Sequence, residues 1–187
     1  MVNLSINCFG RIGKLVLKLL ISKNFNVKCL NELNGNTNSL IHSIEFDSIH
    51  GKWQANIEEG KDEIKIDGKS IKATFVENID DLSLDDVDIM IDCTGVHKSS
   101  SKLQKYFDKG VKKVIVSAPI NEDNIVNIAY GVNHNIYKPK EHNIITGASC
   151  TTNCIAPIIK VLHENIGISH GSITTIHNLT NSQTLVD

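Results

Sequence analysis

LSINCFGRIGKLVLKLLI, residues 4–21, joins two different periodicities through a turn. Residues 4–8 form a short apolar strand. Residues 12–21 place their apolar side chains at helical spacing, and the run is halted by Ser22, Lys23 and Asn24. Gly10 and Gly13 punctuate the join. Strand, glycine turn and amphipathic helix open a βαβ unit, and the apolar stretch at residues 27–30 supplies its second strand.

The same alternation continues down the chain. Residues 40–76 mix short strands and turns, among them 63–66 and 70–73, joined through Asp67 and Gly68, a hairpin signal. VDIMIDC at 87–93 reads as a buried strand, 101–109 as a polar amphipathic helix, and KKVIVSAP as another apolar strand ending at Ser117. Strands alternating with crossover helices predict a parallel, doubly wound α/β sheet.

Composition narrows the classes. The chain has 187 residues, 41% hydrophobic and 21% charged, enough for one domain and part of another. A net charge of −2 carries no basic excess of the kind that nucleic acid or a membrane surface attracts. No apolar run approaches the ~18 residues of a membrane span, and the first ten residues lack a signal-peptide pattern. Five cysteines, an odd number spread from Cys8 to Cys154, suit reduced thiols and a cytoplasmic setting better than a disulfide framework.

A parallel sheet binds ligands at the carboxyl ends of its strands. In the first turn, CFGRIG, Gly10 and Gly13 occupy the last two glycine positions of a dinucleotide fingerprint, while Cys8 stands at the first. Glu32 follows the second strand at about the ~20-residue interval where an acidic side chain accepts hydrogen bonds from the adenosine ribose. A carboxylate there repels a 2′-phosphate, so NAD is expected rather than NADP. Read as structure alone, Glu32 is a solvated loop charge. Thr94 and Gly95, in CTG, and Ser117, in SAP, end two further strands at the same edge, where small residues let a ligand approach the backbone.

GASCTTNC at 147–154 places Cys150 at the start of a helix whose Ile155, Ile158, Ile159 and Leu162 form its inner side and which ends near Asn165. A helix N-terminus favours a thiolate and can hold an oxyanion. Ser149 and Thr151 add hydroxyls suited to a tetrahedral anion. A buried cysteine is often a small hydrophobe, the role expected of Cys154 one turn on. His177 ends GSITTIH, read as a strand with Ile173 and Ile176 among threonines, and a histidine there can stabilise a thiolate and move protons. His97, after the TG turn, is expected near a bound cofactor, with no mechanism assigned to it. His42, His50, His134, His142, His163 and His170 read as surface or capping residues.

FGRIG, EFDSIHG, CTG, KKVIVSAP, GVNH, ASCTTNC and SITTIH, in this order and spacing, resemble the phosphorylating glyceraldehyde-3-phosphate dehydrogenases over the whole chain. The resemblance implies a Rossmann-type NAD-binding domain over residues 1–149 and the beginning of an α+β catalytic domain over 150–187, with the chain stopping inside it. It implies Cys150 as nucleophile and His177 as its activator. Arg11 and Ile12 form the turn over the pyrophosphate, and Ser117 contacts the nicotinamide side. Ser149 and Thr151 face inorganic phosphate, and Thr180 faces the phosphate of glyceraldehyde 3-phosphate. A Cys150 thioester attacked by phosphate, no metal, and a homotetramer at full length are implied as well.

Two residues depart from that pattern: Cys8 replaces a glycine, which shifts the turn or loosens cofactor binding, and Asn78 falls where many relatives carry a cation beside the adenine. LNELNG, EFDSIHGKW and the segment from His170 resemble the branch associated with arsenate resistance, in which arsenate replaces phosphate as the attacking anion. Erythrose 4-phosphate as substrate, a cofactor-binding module without catalysis, and a thiol redox or metal protein using Cys150 and Cys154 remain open alternatives.

Overall fold

The computed structural model describes residues 1–178. The opening βαβ unit forms as its periodicity demands: β1 (Asn3–Asn7), α1 (Arg11–Ser22) and β2 (Asn26–Asn31). Then follow α2 (Thr37–Glu45), β3 (Ile57–Glu59), β4 (Glu63–Ile66), β5 (Lys69–Thr74), β6 (Ile89–Asp92), α3 (Ser100–Asp108), β7 (Lys113–Val116), β8 (Val126–Asn127), β9 (Ile144–Thr146) and α4 (Cys150–Asn165). The strands make one sheet in the order β3-β4-β5-β2-β1-β6-β7-β9-β8. From β5 to β8 all neighbours are parallel, and only β3, β4 and β5 pair antiparallel. The hairpin expected at Asp67 and Gly68 is present, both residues taking positive φ (49° and 80°), as a tight two-residue turn requires.

Successive residues of β6 show how the sheet is sandwiched. Ile91 packs with Leu4, Ile6 and the helix residues Leu17, Leu40 and Ile44, whereas Met90 packs with Leu103 and Tyr106 of α3. Alternate side chains of one strand therefore enter separate cores on opposite faces, as in a sheet covered by helices on both sides. Fully burying a side chain such as Leu17 contributes roughly 1.5–3 kcal/mol.

Three features differ from expectation. Residues 37–45, read within a strand-and-turn region, form α2, because Asn36 accepts from Ser39 N–H (3.0 Å) while the Ser39 hydroxyl accepts from Asn36 N–H (2.8 Å). That reciprocal cap satisfies helix donors and commits Leu40 and Ile44 to the core. The strand expected over GSITTIH is absent: residues 171–178 carry no regular structure, and among the described residues no strand lies beside them to complete a ladder. The expected inner side of α4 is open. Ile158, Ile159 and Leu162 are 53%, 37% and 43% exposed, and Cys154 is exposed rather than buried.

Candidate active site

Asn31, Asn7, Asp92, Val116 and Thr146 are register partners across β2, β1, β6, β7 and β9. That row marks the carboxyl edge of the sheet, so Glu32, Cys8, Thr94, Ser117 and the loop leading to Cys150 all leave from one side. The direction of chain progression reverses between β1 and β6, which opens a crevice at this edge.

At β1 the turn is built with Cys8 at the first glycine position. Cys8 takes φ 77° in the left-handed region and donates its N–H to Asn31 C=O (2.8 Å). In that conformation Cys8 carries backbone strain of roughly 1–2 kcal/mol, which a glycine would not. Gly13 is sterically required, since a Cβ there would meet the Cys8 carbonyl oxygen at 2.0 Å. A Cβ on Gly10 would meet nothing within 4 Å. Gly10 is the N-cap of α1 and offers no capping side chain, so Arg11 and Ile12 begin a helix beside the open space at Gly10, a place suited to a pyrophosphate.

Glu32 is tied into this turn, not left as a loop charge. Its Oε2 accepts from Phe9 N–H (2.6 Å) and its Oε1 from Leu33 N–H (2.7 Å). Each oxygen retains a lone pair for a ribose hydroxyl. A cavity of about 480 Å³ lies here, lined among others by Cys8, Glu32, Asn78, Thr94 and His97. Open space at Gly10, fixed carboxylate oxygens and this adjoining volume fit a dinucleotide.

Beneath the cavity runs a buried polar network that the sequence reading missed. Asp92 is fully buried. Its Oδ1 accepts from the Thr94 hydroxyl (2.6 Å) and N–H (2.9 Å), and its Oδ2 from the Tyr106 hydroxyl (2.8 Å) and lies 2.6 Å from His97 Nδ1. Asn7 donates to Tyr106 (2.7 Å), and Asn31 donates to Asn7 (2.8 Å). Burial pushes the Asp92 carboxyl up, but hydrogen bonds from His97 and Thr94 outweigh it and hold the group below its ordinary value. Burial also raises Tyr106 and pushes the Cys93 thiol up to about 12, even though Cys93 hydrogen-bonds Ser117. Cys93 is thus an inert packing thiol. The available signal was a polar residue closing each of three apolar strands: Asn7, Asn31 and Asp92.

Cys150 is the first residue of α4. Ser149 is the N-cap, its oxygen accepting from Thr152 N–H (3.0 Å). Cys150 Sγ lies 3.0 Å from His177 Nε2, and His177 Nδ1 lies 2.6 Å from the Asn178 carbonyl oxygen, so Nδ1 carries the proton donated there and Nε2 faces sulfur. The His177 hydrogen bond chiefly lowers the Cys150 thiol, with help from the N–H and hydroxyl of Thr151. His177 is raised, first by the Asn178 carbonyl and then by Cys150. Both shifts favour a thiolate–imidazolium pair. A cavity of about 350 Å³ adjoins it, lined by Cys150, Thr151, Cys154 and residues 173–177. Thr180 lies outside the described residues. His134, His142 and His163 accept backbone N–H groups in turns, as capping residues do.

Residues 2–100 match the NAD binding domain of glyceraldehyde 3-phosphate dehydrogenase, and residues 149–187 match its C-terminal domain. The chain belongs to the glyceraldehyde-3-phosphate dehydrogenase family. It is 42% identical to glyceraldehyde-3-phosphate dehydrogenase 3 of Nostoc sp. over all of this chain and 56% of that protein. It is 38% identical to the enzyme of Geobacillus stearothermophilus, again over 56% of that protein, and 38% identical to that of Pseudomonas aeruginosa over 57%. The chain therefore spans a little over half the length of these dehydrogenases. NAD is the family's cofactor and fits the cavity at Glu32. Among the described residues no cluster of three or more His, Cys, Asp or Glu could hold a metal, and no helix is long and apolar enough to cross a membrane.

Proposed function

We propose that this chain carries the cofactor site and the nucleophile of an NAD-dependent phosphorylating glyceraldehyde-3-phosphate dehydrogenase, divided into an NAD-binding unit over 1–149 and the start of a catalytic unit from 150. The observation that carries the reading is the 3.0 Å approach of His177 Nε2 to Cys150 Sγ at a helix N-terminus.

Bound NAD supplies the acceptor for the aldehyde's hydrogen. The residues of the chain do the rest. The Cys150 thiolate adds to the aldehyde carbon, and the first-turn N–H groups of α4 stabilise the oxygen as it gains charge. The His177 imidazolium gives its Nε2 proton to that oxygen, the bare Nε2 takes the proton back as the aldehyde's hydrogen is removed, and oxidation leaves a thioester on Cys150. Inorganic phosphate, oriented by hydrogen bonds donated by the Thr151 and Ser149 hydroxyls, attacks the thioester carbon and releases an acyl phosphate and the thiolate. Thr180 is proposed to face the substrate phosphate. Arsenate has phosphate's tetrahedral shape and charge, so the same approach serves it, and rates with each anion test that assignment.

Incubating the chain with NAD and glyceraldehyde 3-phosphate, followed by peptide mass analysis, tests the proposal. An acyl adduct confined to Cys150 is expected. NAD binding with no adduct would reduce the chain to a cofactor-binding module.

A further inference from the structure

His97 stands in the cofactor cavity with one ring nitrogen committed and the other available. Its Nδ1 faces Asp92 Oδ2 at 2.6 Å, and that carboxylate can only accept, so Nδ1 carries the proton. Tyr106 steadies the pair, donating to the same oxygen and meeting the imidazole edge-on at a centroid distance of 6.3 Å. Among the described residues Nε2 has no hydrogen-bond partner. His97 Nε2 is not among the buried polar atoms, so it opens on the cavity, where a ligand can take up its hydrogen bond.

Its place in the cavity says what that nitrogen meets. His97, Glu77, Asn78 and Val96 form a wall shared with a second cavity of about 190 Å³, which Lys102 and Lys105 also line and which Glu32 does not. His97 therefore lies toward the end remote from the ribose carboxylate. With the ribose hydroxyls on Glu32, the base extends toward this wall and leads with the edge farthest from its glycosidic bond. In adenine that edge carries the exocyclic amino group.

We infer that His97 reads the base of the cofactor, its Nε2 accepting a hydrogen bond from the adenine amino group while Asp92 holds the ring in place. The inference rests on the assignment of Glu32 to the ribose. Hypoxanthine carries a carbonyl where adenine carries its amino group, so two acceptors would face each other across the same gap. Asn78 cannot make this distinction, because its amide can rotate to offer either a donor or an acceptor. Val96 has nothing polar in its side chain to offer.

The test is calorimetric binding of NAD and of nicotinamide hypoxanthine dinucleotide to the 187-residue chain and to its His97→Phe variant, which keeps a ring of similar area. The unmodified chain should bind NAD about fivefold to tenfold more tightly than the hypoxanthine analogue, and the His97→Phe variant should bind both about equally, chiefly through weaker NAD binding. An unchanged preference, or an equal loss for both dinucleotides, would overturn the inference. If the unmodified chain bound neither, the assignment of the cofactor site would fail with it. Nitrogen NMR of the unmodified chain gives an independent reading: the His97 Nε2 resonance should move on addition of NAD and stay in place with the analogue.

Discussion

The sheet and the segment that follows it are built by opposite rules. From β1 to β9 helices cover both faces, and the two cores hold residues such as Leu17, Ile44, Leu103 and Val114 at 0% exposure. From α4 onward no helix residue is buried, and Ile173 and Ile176 are 63% and 97% exposed. Yet Cys150 and His177, the proposed nucleophile and its activating histidine, lie in this second region. The contrast teaches that Cys150 is placed by a local device, the Ser149 cap and the start of α4, which hangs directly on the last central strand through a short loop. Among the described residues, His177 makes two hydrogen bonds, to Cys150 and to the carbonyl of Asn178.

The largest expected effect is chemical. In the whole protein Cys150→Ser should lower NAD reduction by about 10⁴-fold or more, because a hydroxyl beside His177 is a far weaker nucleophile. Cys154→Ser should leave most of the activity, since Cys154 is exposed and has no imidazole at its sulfur. Stability should divide the two regions just as sharply. Leu17→Ala should cost about 2–5 kcal/mol in urea unfolding, whereas Ile158→Ala should stay within about 0.5 kcal/mol. Similar losses at both sites would erase the distinction.

Smaller effects sharpen the account of the sheet edge. Glu32→Ala should narrow the preference for NAD over NADP by about fivefold to tenfold, by removing both the ribose acceptors and the charge that repels a 2′-phosphate. Competitive binding of the two cofactors would measure it, and an NADP preference in the unmodified chain would contradict the role of Glu32. The smallest change is Cys8→Gly. It releases a left-handed φ of 77° but adds freedom to the unfolded chain, for a net gain of about 0.5–1 kcal/mol in thermal unfolding.

Elements whose signals are local were legible in the sequence. The period change at residues 4–21, the Asp67–Gly68 hairpin and the helix beginning at Cys150 all form as read. The parallel, doubly wound sheet followed from strand and helix alternation, though the order of its strands did not. What escaped depends on partners. α2 is set by a side-chain cap between Asn36 and Ser39 inside a stretch of mixed polarity, and β8 and β9 are two and three residues long, too short to show a period. GSITTIH has strand composition, but a strand is a property of two chains side by side, and composition supplies one. Cys154 and the apolar side of α4 were expected to be buried by the same reasoning, which assumes a covering layer. At the site, Cys150, His177 and Glu32 could be named from their positions. Asp92 and Tyr106 could not, because their polar atoms meet across the sheet–helix interface, 14 residues apart in sequence.

The central claim is that His177 activates Cys150, and the pH dependence of alkylation tests it most directly. A thiol with a lowered pKa is a thiolate above that value, so its reaction with iodoacetamide should fall only as pH drops through it. For Cys150 the midpoint should lie clearly below about 8.5, the ordinary thiol value, with Cys154 reacting more slowly at pH of about 6.5. In His177→Asn the midpoint should move up toward the ordinary value, because the hydrogen bond that chiefly lowers it is gone. A midpoint at or above 8.5 in the unmodified chain, or one that His177→Asn leaves in place, would contradict the account.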